Sequence, residues 1–262
     1  MKYSGSFNQS LKIQSRIIGA LFLREILTRY GRHNIGFFWL FVEPMIFNLG
    51  VLIIRFVMHE KTFGLNLVPF VATGYATIIL WRNTINRAGN AIEPNRSLLH
   101  HRNVRVFDIF VARTILELIG SSLSFLIIMS TLIATDLMAP PNDVIKIVEG
   151  WLLLAWFAGS FSFIVGGLAF FNEVFDRVWH IITYLFLPIC GAFSITAFAP
   201  PALQTVLNWV PIVSCVELIR EGYFGVFVDS TYNIPYVVVF NLINTLIGFY
   251  LVSRVSLHVE GA

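Results

Sequence analysis

Phe107 to Thr135 reads FDIFVARTILELIGSSLSFLIIMSTLIAT, and this run decides the fold class. A helix that crosses a bilayer core of about 30 Å needs roughly 20 apolar residues, because lipid offers no partner to an unpaired backbone group. The run exceeds that length. Its two interior charges, Arg113 and Glu117, are four positions apart, a spacing that lets them neutralise each other on one helix face. Moving outward, Leu67 to Asn86 and Ile145 to Phe171 read the same way. Beyond them lie Ile35 to Met58, Val178 to Phe198 and Pro235 to Val255. Six spans are expected, in an all-α integral membrane protein.

Composition agrees. Of 262 residues 56% are hydrophobic and only 13% charged, with a mean hydropathy of +0.75, whereas a soluble domain carries about 25% charged residues. No Gly/Ser/Pro-rich linker divides the chain, so one membrane domain over 1–262 is expected. The first 35 residues carry charge throughout and only a short apolar run, so a retained N-terminus is expected instead of a cleavable signal peptide. Cys190 and Cys215, in apolar surroundings, read as buried thiols.

The basic residues orient the chain. With both termini cytoplasmic, the inner side holds Lys2, Lys12, Arg16, Arg24, Arg29, Arg32, Arg87, Arg96, Arg102, Arg105, Arg177 and Arg254. The outer side holds Lys61, Lys146 and Arg220, with Arg55 near the outer end of the first span. That asymmetry follows the positive-inside rule.

Three segments outside the spans carry information. Ser10 to Tyr30 has Ile13, Ile17 and Leu21 on one helical stripe and Lys12, Arg16 and Arg24 on another, which reads as a helix lying along the inner membrane surface (10–30), with a solvated basic tail as the alternative. In the inner loop Arg87 to Arg105, Glu93-Pro94-Asn95-Arg96-Ser97-Leu98-Leu99 reads as a helix start with an exposed apolar pair able to dock into a partner groove. A plain basic anchoring loop fits the charges equally. Ala199 to Asn233 is too apolar for a loop, yet Glu217, Arg220 and Glu221 would each cost on the order of 2.5 to 3.5 kcal/mol at mid-bilayer, so a re-entrant hairpin dipping into the outer leaflet (199–233) is expected.

Catalytic chemistry is sparse. No phosphate-cradling G-x-x-x-x-G-K-[ST], no H-E-x-x-H, no Cys/His metal cluster and no G-x-S-x-G elbow occurs. Only His100-His101 with Asp108 invites an acid/base proposal, that of a membrane transferase. Polar residues within or beside spans say more: Glu43-Pro44, Arg55 and His59 in the first, Arg82, Asn83, Asn86 and Arg87 at the inner end of the second. Glu43 is placed to pair with an arginine of the interfacial helix. Arg82 to Arg87 has no opposing acidic run in its own span, and Tyr75 and Trp81, on that same span, offer aromatic faces suited to sugar rings.

These residues resemble the type-2 ABC exporter permeases, most closely the KpsM-type permeases of capsular polysaccharide export. The resemblance is carried by Leu21-Phe22-Leu23-Arg24-Glu25-Ile26, Gly36, Trp39 and Glu43-Pro44, then Met58-His59. It continues through Asn86-Arg87, Ala91-Ile92-Glu93, Asn95, Leu98, Arg102, Asp108, Ala112-Arg113 and Leu116-Glu117, and again at Pro211, Val216-Glu217-Leu218 and Arg220-Glu221. It implies a homodimer bound on its cytoplasmic side by two copies of a separate ABC ATPase, which carries the ATP and Mg, so that this chain binds no cofactor and is not an enzyme. Glu93 to Arg102 would be the coupling helix, with a second contact at Asn172, Glu173 and Arg177. The substrate implied is a lipid-linked acidic capsular polysaccharide, passed through the inner membrane to a periplasmic co-polymerase or adaptor and an outer-membrane export protein, with no nucleic acid involved. On that reading Arg82, Asn86 and Arg87 attract the anion at the inner mouth, Trp39, Tyr75 and Trp81 contact sugar, and Arg55, His59, Glu217, Arg220 and Glu221 shape the outer exit. The same architecture would serve another glycan, such as O-antigen or teichoic acid.

Overall fold

A computed structural model describes residues 7–30, 35–58, 64–99, 104–225 and 230–260. Among the described residues the helices of 20 residues or more are α1 (Phe7–Tyr30), on the amphipathic segment, and, on the apolar runs, α2 (Ile35–Val57), α3 (Leu67–Asn86), α5 (Val106–Ala134), α6 (Val144–Phe171) and α10 (Ile234–Glu260). Between α3 and α5 a 3-10 turn, Glu93–Asn95, leads into the short α4 (Arg96–Leu99). After α6 come α7 (Glu173–Phe186), α8 (Pro201–Leu207) and α9 (Pro211–Phe224). Among the described residues α5, α6 and α10 are long and apolar enough to cross a membrane.

α6 is apolar almost all round and takes the centre, as such a helix must. It packs on α3, α9 and α10, while α5 joins α3 to α1 and α2. The main core is built by α3, α6 and α9, with Phe70, Leu80, Leu154, Cys215 and Ile219 buried in it. A second core, with Leu21, Ala91, Ile92, Val106 and Val255, closes the end that the charge bias assigns to the cytoplasm. Lipid tails are as apolar as leucine, so such a bundle coheres through close packing and small residues. A Cβ on Gly150 would lie 2.8 Å from the Ile219 side chain and 2.9 Å from the Cys215 carbonyl, and one on Gly222 would lie 2.8 Å from the Asp143 carbonyl. Two glycines, one on each helix, thus let α6 and α9 approach backbone to backbone.

The expected span Val178 to Phe198 is not one helix. α7 starts earlier, at Glu173, because the Asn172 side chain accepts the Val174 and Phe175 backbone N–H groups at 2.9 and 3.3 Å. It has 14 residues, about 21 Å at 1.5 Å each. Pro188 ends it, since proline lacks the N–H that would continue the ladder to the residue 184 carbonyl, and the chain passes into a 3-10 turn, Leu187–Ile189. Gly191, at φ 78, then turns the chain. α8 and α9 meet at 100° across a break at residues 208–210, with Pro211 opening α9.

Candidate functional site

At the inner end, four elements meet through charge. Arg87, the C-cap of α3, donates through Nη2 to Glu43 Oε1 of α2 at 3.0 Å, and its Nε lies 3.5 Å from Glu117 Oε2 of α5. Arg113 of α5 donates through Nε and Nη2 to Glu25 Oε1 of α1 at 2.9 and 2.7 Å. Its Nη1 also holds the carbonyls of Arg87, at 2.9 Å, and Asn90, groups that the end of α3 would otherwise leave without partners. Among the described side chains Glu43 meets Arg87 of α3, and Arg87 is opposed by acids that arrive from α2 and α5. Period and spacing within one helix could not show this, because the partners come from other helices.

Arg82 points its guanidinium at Tyr184 of α7, 4.1 Å from the ring centroid. Its Nε is buried with no partner among the described residues. With Glu43, Pro44, Phe47, Ile79 and Asn83 it lines a cavity of about 200 Å³ between α2 and α3. Asn86 Nδ2 donates to Thr183 Oγ1 at 3.4 Å. The polar residues assigned to the inner mouth are therefore gathered along one seam of α2, α3 and α7. The aromatic residues are not. Trp39 is exposed on α2, but Tyr75 is buried edge-on against Phe193 at 5.1 Å and Trp81 against Phe186 at 6.0 Å, so neither presents an open face to a sugar.

The two segments read as contacts for an ATPase lie side by side. Glu93, Glu173, Asp176 and Arg177 line one cavity of about 320 Å³. An adjoining cavity of about 520 Å³ is lined by Glu93, Arg96, Leu99, Phe170, Phe171 and His258. Glu93 and Arg96 are exposed and 3.8 Å apart. Leu98 and Leu99, expected to be exposed, are half-buried against the second core, which orients the turn. Asn95 is buried: its Nδ2 donates to the Ala91 carbonyl at 2.9 Å, and its Oδ1 accepts from Arg24 of α1 at 2.6 Å. Phe170, Phe171, Asp176 and His258 were not singled out from sequence. The signal available was Asn172 itself, a strong N-cap residue that places an exposed helix start beside them. Arg102, His100 and His101 lie outside the described residues. Asp108 accepts from the Arg105 backbone N–H at 3.0 Å and from Gln14, so it caps α5 and ties down α1.

At the other end, the charges of α9 turn inward. Arg220 is fully buried and donates through Nη1 to the carbonyls of Gly191 and Ser194 and through Nη2 to that of Ala192, each at 2.6 Å. Its guanidinium carbon lies 4.3 Å from the Phe70 ring centroid. Glu217, also fully buried, accepts from the Thr196 backbone N–H at 2.9 Å and hydroxyl at 3.0 Å. Together they supply hydrogen bonds to residues 191–196, at and just before the 3-10 turn Thr196–Phe198, whose backbone no α-helix satisfies. Glu217 and Arg220 therefore line no exit in this structure. Glu221 pairs with Lys146 of α6 at 2.5 Å. Arg55 sits among Phe70, Tyr75 and Phe193, 5.6 to 5.8 Å from their ring centroids. His59 lies outside the described residues.

No protein-family model matches the chain. Full-length similarity exists to named proteins. The capsule polysaccharide export inner-membrane protein CtrC of Neisseria meningitidis serogroup B is 42% identical over 256 residues, 97% of each chain. The protein of the same description, BexB, from Haemophilus influenzae is 41% identical over 97% of each chain. The polysialic acid transport protein KpsM of Escherichia coli is 28% identical over 92% of this chain and 93% of its own. These relatives are named for export and transport, not for catalysis. At that identity over nearly its whole length, the chain belongs to the family of capsule polysaccharide export inner-membrane proteins.

Proposed function

We propose that this chain is the membrane-spanning permease of an ATP-driven exporter that carries a lipid-linked acidic capsular polysaccharide across the bacterial inner membrane. Whole-length identity of 42% to an inner-membrane protein of capsule export carries the reading. The permease works as a homodimer with both termini cytoplasmic, and two copies of a separate ATPase bind its inner face and hold the ATP and Mg. A periplasmic adaptor and an outer-membrane export protein take the polymer onward. α2, α3, α5, α6 and α10 cross the membrane, α7 with the 187–198 stretch makes the sixth passage, and α8 and α9 form an outer re-entrant hairpin. α1 lies on the inner surface.

Coupling follows from the inner cavities. The turn Glu93 to Leu99 and the α6–α7 junction at Asn172 share a wall through Glu93 and Arg177, so one docked helix or loop of the ATPase can press on both. Arg24 ties that turn to α1 through Asn95, and Arg113 ties α1 to the end of α3. A push at the turn is thereby passed to the seam that holds Arg82 and Arg87.

The test is purification from native membranes. A soluble ATPase should co-purify in equal copy number, and changing Leu98 and Leu99 to Asp should release it. A chain that comes alone, with no nucleotide-dependent activity, would remove coupling at this turn.

A further inference from the structure

Arg87 has two carboxylate partners in different circumstances. Glu117 is 5% exposed, and its helix is held by the Arg113–Glu25 pair, both of whose side chains are 13% exposed. Glu43 is 52% exposed at 3.0 Å from a guanidinium that is itself 27% exposed. An ion pair so open is worth roughly 0.2 to 1 kcal/mol and exchanges readily, whereas the buried one does not. Beside Glu43 lies the cavity of about 200 Å³, with Arg82 in its wall, large enough for several waters at about 30 Å³ each or a phosphate group. Arg82 keeps its buried Nε without a partner among the described residues.

Charge and backbone agree. Among the described residues Arg82 and Arg87 stand against Glu43 and Glu117, so withdrawal of Glu43 takes a negative charge away from Arg87 beside a cavity. Pro44, directly after Glu43 in α2, removes the backbone hydrogen bond to residue 40 and weakens the helix where the pair holds it. We propose that Arg87 and Arg82 form an anion site that the chain's own Glu43 carboxylate occupies in this state. An anionic group of the lipid-linked glycan, phosphate or carboxylate, loads by displacing Glu43 and so releases α2 from α3. The proposal rests on the export reading and gives that path an internal competitor: without cargo the seam is shut by Glu43.

The test uses the full chain in phosphatidylcholine vesicles with Ile79→Cys as reporter. Ile79 is a buried wall of the cavity under α2, and the native Cys190 and Cys215 are both buried. Dihexanoyl phosphatidic acid supplies the phosphate, trigalacturonic acid the carboxylate, and maltotriose is the neutral control. Either anion should accelerate maleimide labelling at position 79 saturably, and maltotriose should not; which anion acts identifies the source of the charge. Glu43→Gln should label fast without anion and bind the active anion up to about fivefold tighter, the upper end of what an exposed pair is worth. Arg87→Gln should weaken binding about tenfold or more, the loss of a charge-assisted contact. Hydrogen exchange over residues 40–47 in the unsubstituted chain gives the same answer should the reporter disturb packing. Glu43→Gln that binds no tighter, or labelling indifferent to anion, overturns the proposal. In that event export loss in Arg82 and Arg87 variants would still stand for the path, whereas normal export in them would remove both.

Discussion

Arg220 has no exposed surface and spends both terminal nitrogens on backbone carbonyls of residues 191, 192 and 194. A buried charge is tolerated only when it is well hydrogen-bonded, and here the chain that proline and glycine have taken out of helix takes up both terminal nitrogens, while Nε has no partner among the described residues. Arg220→Ala is expected to lower stability by about 3 kcal/mol or more, because three carbonyls lose their donor at once and each left unsatisfied costs about 1 kcal/mol or more. Thermal unfolding in detergent should show it as a large fall in Tm, and Arg220→Lys, with a single point charge, should recover only part. The sequence made clear that Glu217, Arg220 and Glu221 exclude a simple span. Their use was not legible, since an arginine whose partners are main-chain carbonyls 26 to 29 residues away leaves no complementary side chain to find.

Among elements, α6 and α9 pack closely at two glycines. Gly150 and Gly222 each face the other helix at distances a Cβ cannot occupy, so Gly150→Val is expected to force the pair apart at a cost of about 1 to 3 kcal/mol. The check is expression level and melting of the purified variant, with Gly159→Val as comparison, where a Cβ meets only a methyl at 3.3 Å. Helix positions were readable because α2, α3, α5, α6 and α10 are long apolar runs with polar ends. α7 was misread as part of a longer span because Val178 to Phe198 is apolar throughout, and hydropathy does not register that Pro188 and Gly191 break it.

For the whole molecule, the inner face brings together α1, the turn before α4, the α6–α7 junction and the end of α10. Charge bias on the sequence had put all four on one side, and packing agrees; that they share cavities needed coordinates, since residues 93 and 173 belong to different loops. On the proposed export function, replacing Arg82 and Arg87 together with Ala should leave assembly with the proposed ATPase intact and sharply reduce polymer at the cell surface. Quantitative capsule staining against membrane-protein abundance would check this, and undiminished capsule would take both arginines out of the path. His258 and Val259 stand in the wall of the larger inner cavity, about one turn beyond the last buried core residue of their helix, Val252 and Val255 being its buried anchors. Anything fused after α10, an affinity tag or a fluorescent protein, would therefore hang at the mouth of the surface where the ATPase is expected, and laboratory handling of this permease is better done from a loop on its far side.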